Sequence, residues 1–336
     1  MDCQWQQNRK VKKYEKEKNY FIVYFCIFFA LFFAENTDNL GIKMCPIPGT
    51  NYQFSSTEVT QCLFEEVTGV NPSKEKNENY PVEMVSYYDA IYFCNELSLK
   101  FGYEPVYSIK GNTDILNTYV PFESNNIYET IEINKNADGF RLPTVAEWIY
   151  AAKGGEDYKY AGSNEINEIA IIDYDNNHED CVAMKKPNGY GLFDMNGNVF
   201  EWTDDIDNPD IEYNLNFICG GSFFSNFTNY KIDKSEAYSA KREIQLYDTG
   251  IRLVRSNICK TVSTNLKLRS EGNMTSQVLL ILSLDSKVQI LEFGKSEIID
   301  GMNNNWVKVK VISGKDRDGN KLKSGMTGWC YGGYLE

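Results

Sequence analysis

One histidine in 336 residues is the first constraint. An all-histidine zinc site, an HExxH protease helix and a two-histidine iron triad each need more imidazoles than His178 provides. A Ser-His-Asp hydrolase would depend on His178 itself, which lies in the acidic loop 173–180, and the chain has no GxSxG elbow. A surplus of positive charge is missing too. With 34 Lys+Arg against 47 Asp+Glu the net charge is -13, and no stretch interleaves basic with aromatic residues, so nucleic acid is not an expected partner. Cys45, Cys62, Cys94, Cys181, Cys219, Cys259 and Cys330 form no CxxC pair, and neither a metal nor fixed disulfides are assigned to them. There is no internal repeat and no Pro- or Ser-rich linker.

Hydrophobic residues are plentiful at 42%, with 14% aromatic, enough to fill a core in a chain long enough for two domains. Residues 1–34 combine Arg9, Lys10, Lys12, Lys13, Lys16 and Lys18 with an apolar run over 20–34. A basic stretch followed by an apolar one is the pattern of an export signal, and fifteen residues fall short of the roughly 20 a membrane helix needs. The expectation is therefore a signal peptide or an uncleaved anchor over 1–34, an exported periplasmic or envelope protein, and membrane contact only through this segment. Phe32 stands where a small residue is expected before a cleavage point, and Cys26 follows Phe25, so lipidation is not expected. Without 1–34 the balance is 28 basic against 44 acidic, or -16, with seven cysteines. An odd count leaves at least one thiol free or paired with another chain.

Residues 40–256 mix short helices with long polar loops, whereas 262–336 alternate like short strands. Ser86 and Asp89 form a capping-box start for a helix that Gly102 stops, and Thr144 with Glu147 opens another that ends at Gly154. A third is expected over 59–68, stopped by Gly69. Asp194 and Glu201 lie seven residues apart around a glycine turn. Calcium takes roughly six to eight oxygens, some of which backbone carbonyls at such a turn can supply, but this spacing equally describes a capped turn.

Seven blocks occur in a recognisable order: Thr57-Glu-Val-Thr60, Pro81-Val-Glu-Met-Val-Ser-Tyr-Tyr-Asp-Ala90, Gly139-Phe-Arg-Leu-Pro-Thr-Val-Ala-Glu-Trp148, Pro187-Asn-Gly-Tyr-Gly-Leu-Phe-Asp194, Gly197-Asn-Val-Phe-Glu-Trp202, Gly220-Gly-Ser222 and Gly250-Ile-Arg-Leu253. Together they resemble the formylglycine-generating enzyme, or sulfatase-modifying factor, family over residues 40–256. The resemblance implies an α+β, C-type-lectin-like fold poor in regular structure and stabilised by calcium. It would place that ion on the side chains of Asp194 and Glu201 and the carbonyls of Gly197 and Val199.

The family's active members are copper-dependent oxidases with two cysteines just after the Gly-Gly-Ser strand. Here Ser225 and Tyr230 fall at those places, and neither a hydroxyl nor a phenol replaces a thiolate toward cuprous copper. Copper is therefore not expected, and the implied role is that of a pseudoenzyme; the alternative is a residual protein-modifying activity working through Cys219 alone. The family's histidine-rich iron branch is excluded by the single histidine. Between the signature strands, Phe224, Ser225, Asn226, Phe227, Asn229 and Tyr230 offer the polar and aromatic contacts of a binding loop, though a solvated loop with some aromatics tucked inward fits as well. Variable proteins of diversity-generating retroelements bind ligands through this loop of the same fold.

Residues 262–336 resemble a bacterial SH3 domain, a small all-β barrel, through the Leu-Arg-Ser block at 268–270, Trp306-Val-Lys-Val309 and Gly328-Trp-Cys-Tyr-Gly-Gly-Tyr-Leu335. That resemblance implies an envelope module contacting peptidoglycan or a protein or peptide ligand. Trp306, Trp329, Tyr331 and Tyr334 are either a stacking surface or the barrel core, with core the expectation for the tryptophans.

Overall fold

The computed structural model describes residues 40–117, 130–172, 178–206, 215–227, 232–233, 237–261, 263 and 265–335. The export or anchor segment expected over 1–34 lies outside them, as do Asn229, Tyr230 and most of the acidic loop 173–180. Among the described residues no helix is long and apolar enough to cross a membrane. Met44–Glu336 form one compact unit.

The fold is a mixed α+β arrangement dominated by loops and small sheets. Strands β3 (Tyr107–Ile109) and β4 (Ile131–Ile133) pair with each other, while β1 (Met44–Pro46), β2 (Tyr52–Ser55) and β5 (Phe140–Arg141) join β10 (Val254–Ser256) in a four-stranded sheet of order β1-β2-β10-β5. A second sheet has the order β8-β7-β6-β9, with β6 spanning Phe200–Ile206, β7 Leu215–Cys219, β8 Tyr238–Lys241 and β9 Thr249–Gly250. In it β9 runs parallel to β6 and pairs Glu201 with Gly250.

The helices begin where their caps dictate. Helix α1 (Gln61–Thr68) is capped by Thr60, whose hydroxyl accepts from the Leu63 amide, so it starts two residues later than the pattern suggests. Helix α2 (Tyr87–Lys100) carries the full capping box between Ser86 and Asp89. It is buried along most of its length, including Ala90, Cys94 and Leu97. Helix α3 (Val145–Lys153) has the box on Thr144 and Glu147 and a left-handed stop at Gly154. Its Trp148 enters a core with Phe54, Leu192, Met195 and Phe217, and that core sets the position of the turn at 194–199.

The C-terminal region is a separate, curled half-barrel. Its six strands, β11 (Ile258–Lys260), β12 (Leu266–Arg269), β13 (Val278–Leu282), β14 (Lys287–Ile299), β15 (Met302–Ser313) and β16 (Thr327–Tyr331), follow the order β11-β14-β15-β16-β12-β13. Only Asn257 separates β10 of the first sheet from β11 of this one. Its amide donates to Asn51 O at 2.8 Å, and its carbonyl accepts from the Ile290 amide at 2.9 Å. Lys287 adds an ionic tie to Glu104 at 2.5 Å and Asp138 at 3.5 Å.

Candidate functional site: a buried charge cluster and an aromatic ledge

The turn at 194–199 is made by left-handed backbone at Asp194, Gly197 and Asn198. Gly197 is required there, because a Cβ would come within 2.4 Å of the Ile171 carbonyl oxygen. Phe200 then starts β6, and Glu201 points into the core. Its Oε1 accepts from Arg252 Nε at 2.8 Å and its Oε2 from Trp148 Nε1 at 2.6 Å. Arg252 also donates to the carbonyls of Ser55 at 3.1 Å and Phe193 at 2.8 Å.

Asp194 turns to other partners. Its Oδ2 accepts from the Ala183 amide at 2.6 Å, while its Oδ1 and both oxygens of the buried Glu58 have no hydrogen-bond partner. Burial pushes the Glu58 carboxyl well above its usual range, and Asp194 adds to the rise against the pull of Arg252. Three carboxyl groups thus lie within the field of one guanidinium that bonds only Glu201 among them, in a site closed to solvent. Glu58 is not among the residues expected from sequence. Its only signal is membership of the Thr57–Thr60 block, which says nothing of a partner more than a hundred residues away.

The donor set for calcium is mixed. The atom nearest the place a Gly220 Cβ would take is Trp148 Cζ2 at 3.3 Å, with the Met195 and Val199 carbonyl oxygens beyond it at 3.8 and 3.9 Å. Glu201 meanwhile already has a donor on each oxygen, and among the described residues no group of three or more His, Cys, Asp or Glu side chains is gathered for a metal. Oxygen donors of this kind suit a hard ion such as calcium rather than copper.

Just beyond β7, the Gly220-Gly221-Ser222 corner forms a closed turn. The Ser225 amide donates to Ser222 O at 2.9 Å, and Ser225 Oγ accepts from the Ser222 amide at 2.8 Å. Ser222 Oγ in turn donates to Asp248 Oδ2 at 3.0 Å. Cys219, the one thiol nearby in sequence, is 2% exposed. Burial, with Glu201 and Asp205 adding to it, pushes its pKa far above the ordinary thiol value, the opposite of what a nucleophilic or copper-binding cysteine needs.

Of the expected loop contacts, Phe224 and Asn226 are exposed and Ser225 is half-buried. Phe227 is buried in the core with Trp148, and its carbonyl accepts from the Tyr160 hydroxyl at 3.0 Å, so it is not a surface contact. Among the described residues of 223–247 the exposed rings are Phe224, Tyr247 and Tyr238. Phe224 and Tyr247 meet edge to face with centroids 6.2 Å apart, both resting on the buried Phe223. The Phe224–Tyr247 pair is the ledge; Tyr238 packs on Phe200 at 5.5 Å.

In the half-barrel, Trp306 is buried and its Nε1 donates to Glu297 Oε2 at 2.6 Å. Trp329 packs over Gly294, where a Cβ would meet its ring at 2.6 Å. Tyr331, Tyr334, Arg269, Met274 and Asp300 line, with Trp306, a cavity of about 480 Å³, within the size range of small-ligand sites.

The Sulfatase-modifying factor enzyme 1-like domain matches residues 6–257. The chain therefore belongs to the sulfatase-modifying factor family. Chaperone protein LppX of Paenibacillus barcinonensis is 35% identical over 233 residues, which cover 62% of this chain and 81% of that protein. The formylglycine-generating enzyme of Streptomyces coelicolor is 34% identical over 87 residues, but the match spans only 28% of that enzyme. Among solved structures, Treponema denticola variable protein 1 shares 34% identity at a TM-score of 0.53, over 61% of this chain and 84% of that one. CarF follows at 27% identity and a TM-score of 0.51, over 61% and 86%.

Proposed function

We propose that this protein is an exported, envelope-associated binding protein and that its sulfatase-modifying factor domain, a C-type-lectin-like fold, serves recognition rather than copper oxidation. The observation that carries this reading is the exposed Phe224–Tyr247 ledge resting on Phe223, next in the chain to a corner where Ser225 is tied back to Ser222 and the nearby thiol is buried. Exposed aromatics on a firm support give contact area at low entropic cost, and they suit an extended polypeptide with apolar side chains. The name of the Paenibacillus barcinonensis relative, a chaperone protein, supports a polypeptide ligand. The half-barrel acts in this reading as a bacterial SH3-type module for peptidoglycan or peptide, and calcium holds the 194–201 turn through Asp194, Glu201 and the carbonyls of Gly197 and Val199.

Three measurements test it. Incubating the full chain with copper, oxygen and a cysteine-containing sulfatase peptide leaves the cysteine unchanged; formylglycine formation overturns the binding-only reading in favour of a residual oxidase. Binding to a reduced, unfolded model polypeptide falls at least tenfold in a Phe224→Ser, Tyr247→Ser variant, and equal retention counts against the ledge. Chelation lowers the melting temperature of the full chain, and an unchanged melting curve removes calcium from the account.

A further inference from the structure

Strand β12 carries Lys267 and Arg269 two residues apart, so both project from one face, while the alternating Leu266 and Leu268 belong to the half-barrel core. The two cations line the cavity of about 480 Å³ together with Asp300, Met274 and Ile299. Arg269 is only 6% exposed. Its Nη1 donates to Ser276 O at 2.7 Å, and no other acceptor among the described residues takes its remaining donors. Those donors are not sealed from solvent, and the cavity is the opening that Arg269 borders. No ion pair reaches Lys267 or Arg269 among the described residues.

The rings that line the same cavity are fixed. Trp306 and Tyr331 meet edge to face at 6.0 Å, and Tyr331 and Tyr334 do so at 5.7 Å. The Tyr331 hydroxyl sits between Glu297 O at 2.7 Å and the Asn304 amide at 2.8 Å, which ties the β14–β15 hairpin to the ring. Trp306 and Tyr331 are 1% and 3% exposed, so neither offers an open ring face on which a sugar could stack. Asp300 is already held by the Tyr334 hydroxyl. Two cations against that one carboxylate leave the lining a single positive charge in excess, which suits a monoanion better than a phosphate dianion.

We propose that this cavity is a subsite for the free carboxylate of a peptide chain end, with Arg269 taking the carboxylate, Lys267 as the second cation, and Met274 and Ile299 beside the last apolar side chain. The proposal rests on the half-barrel's reading as a module for peptidoglycan or peptide and deepens it. A guanidinium matches a carboxylate with two parallel hydrogen bonds. A nearly buried one without a counter-ion gains most from such a partner. A chain end sets one negative charge beside one apolar side chain, which is the pairing this lining calls for.

The test is calorimetric titration of the full chain with an acetylated tripeptide ending in alanine, with a free carboxylate or a carboxamide and with the last residue in the L or the D form. Wild type should bind a free-carboxylate form about tenfold or more tightly than its carboxamide. Preference for the D form makes a wall stem peptide the source and preference for the L form a protein tail; either supports the site. Arg269→Gln should abolish the carboxylate preference. Since replacing that buried residue risks the fold, the exposed Lys267→Glu is the second variant and should abolish it too. Equal affinity for carboxylate and carboxamide, binding of neither, a preference that survives in both variants, or equally tight binding of inorganic phosphate overturns the proposal. Retention on peptidoglycan sacculi is measured in parallel. Retention without a carboxylate preference removes this subsite but leaves the module reading standing, whereas absence of both removes both.

Discussion

Arg252 Nε donates to Glu201 Oε1 at 2.8 Å, and neither side chain reaches solvent. The pair joins β6 to the chain just after β9, and the remaining guanidinium nitrogens hold the Ser55 and Phe193 carbonyls. Glu201→Ala leaves a buried cation without its partner, which costs roughly 3–5 kcal/mol. Urea unfolding should record that loss with chelator present or absent, since it arises from Arg252 and not from a metal. A loss that vanishes in chelator would assign the role to calcium instead.

Asp204 provides a pH dependence. It is held by the Tyr107 hydroxyl at 2.9 Å and the Tyr87 hydroxyl at 3.3 Å, and burial pushes its carboxyl up to about 7 against the pull of Arg141 and Tyr107. Below about pH 4 the group is protonated in both the folded and unfolded chain. Between there and about 7 only the folded chain keeps the proton, so this contribution to stability falls as pH rises through that window. Asp204→Asn should flatten the slope of melting temperature against pH over that window. An unaltered slope would show that Asp204 does not titrate there.

The thiols should separate cleanly by reagent access. Cys62 is exposed, whereas Cys94, Cys219 and Cys330 are buried and pushed up by burial. Ellman's reagent should therefore modify Cys62 within the mixing phase and reach the other three only after unfolding. Rapid native labelling of Cys219, read by peptide mass, would revive the single-thiol chemistry.

Phe224→Ser and Tyr247→Ser should each cost only about 1 kcal/mol of stability, because both rings are partly in water already. Circular dichroism and urea unfolding check this. A large loss would mean that the rings serve the core rather than a ligand.

Local signals in the sequence locate the helices well, since a cap acts over three or four residues: Ser86 with Asp89 and Thr144 with Glu147 start their helices as expected. Thr60, not Val59, opens the first, because it is the hydroxyl that satisfies the Leu63 amide. Strand β13 gives no such signal, its Val278–Leu282 run having no alternation to mark it. The charge cluster is half legible. Asp194 and Glu201 stand out by their spacing, yet their partners Glu58 and Arg252 lie in distant blocks, and only the fold brings them together. The ledge departs from expectation at Phe227 for a related reason: whether a loop aromatic faces out depends on what packs beneath it, and Gly221 leaves room for that ring underneath.

The one-residue passage at Asn257 bears on how two ligands could be held together. A flexible tether lets a second module search a volume, and its effective concentration falls as the tether lengthens. Here β10 and β11 are consecutive, bonded on either side of Asn257 through Asn51 and Ile290, and Lys287 bridges to Glu104 and Asp138. Such a joint works as a ruler rather than a leash: if both proposed surfaces bind, their two ligands can be engaged together only when their separation matches the one the protein sets.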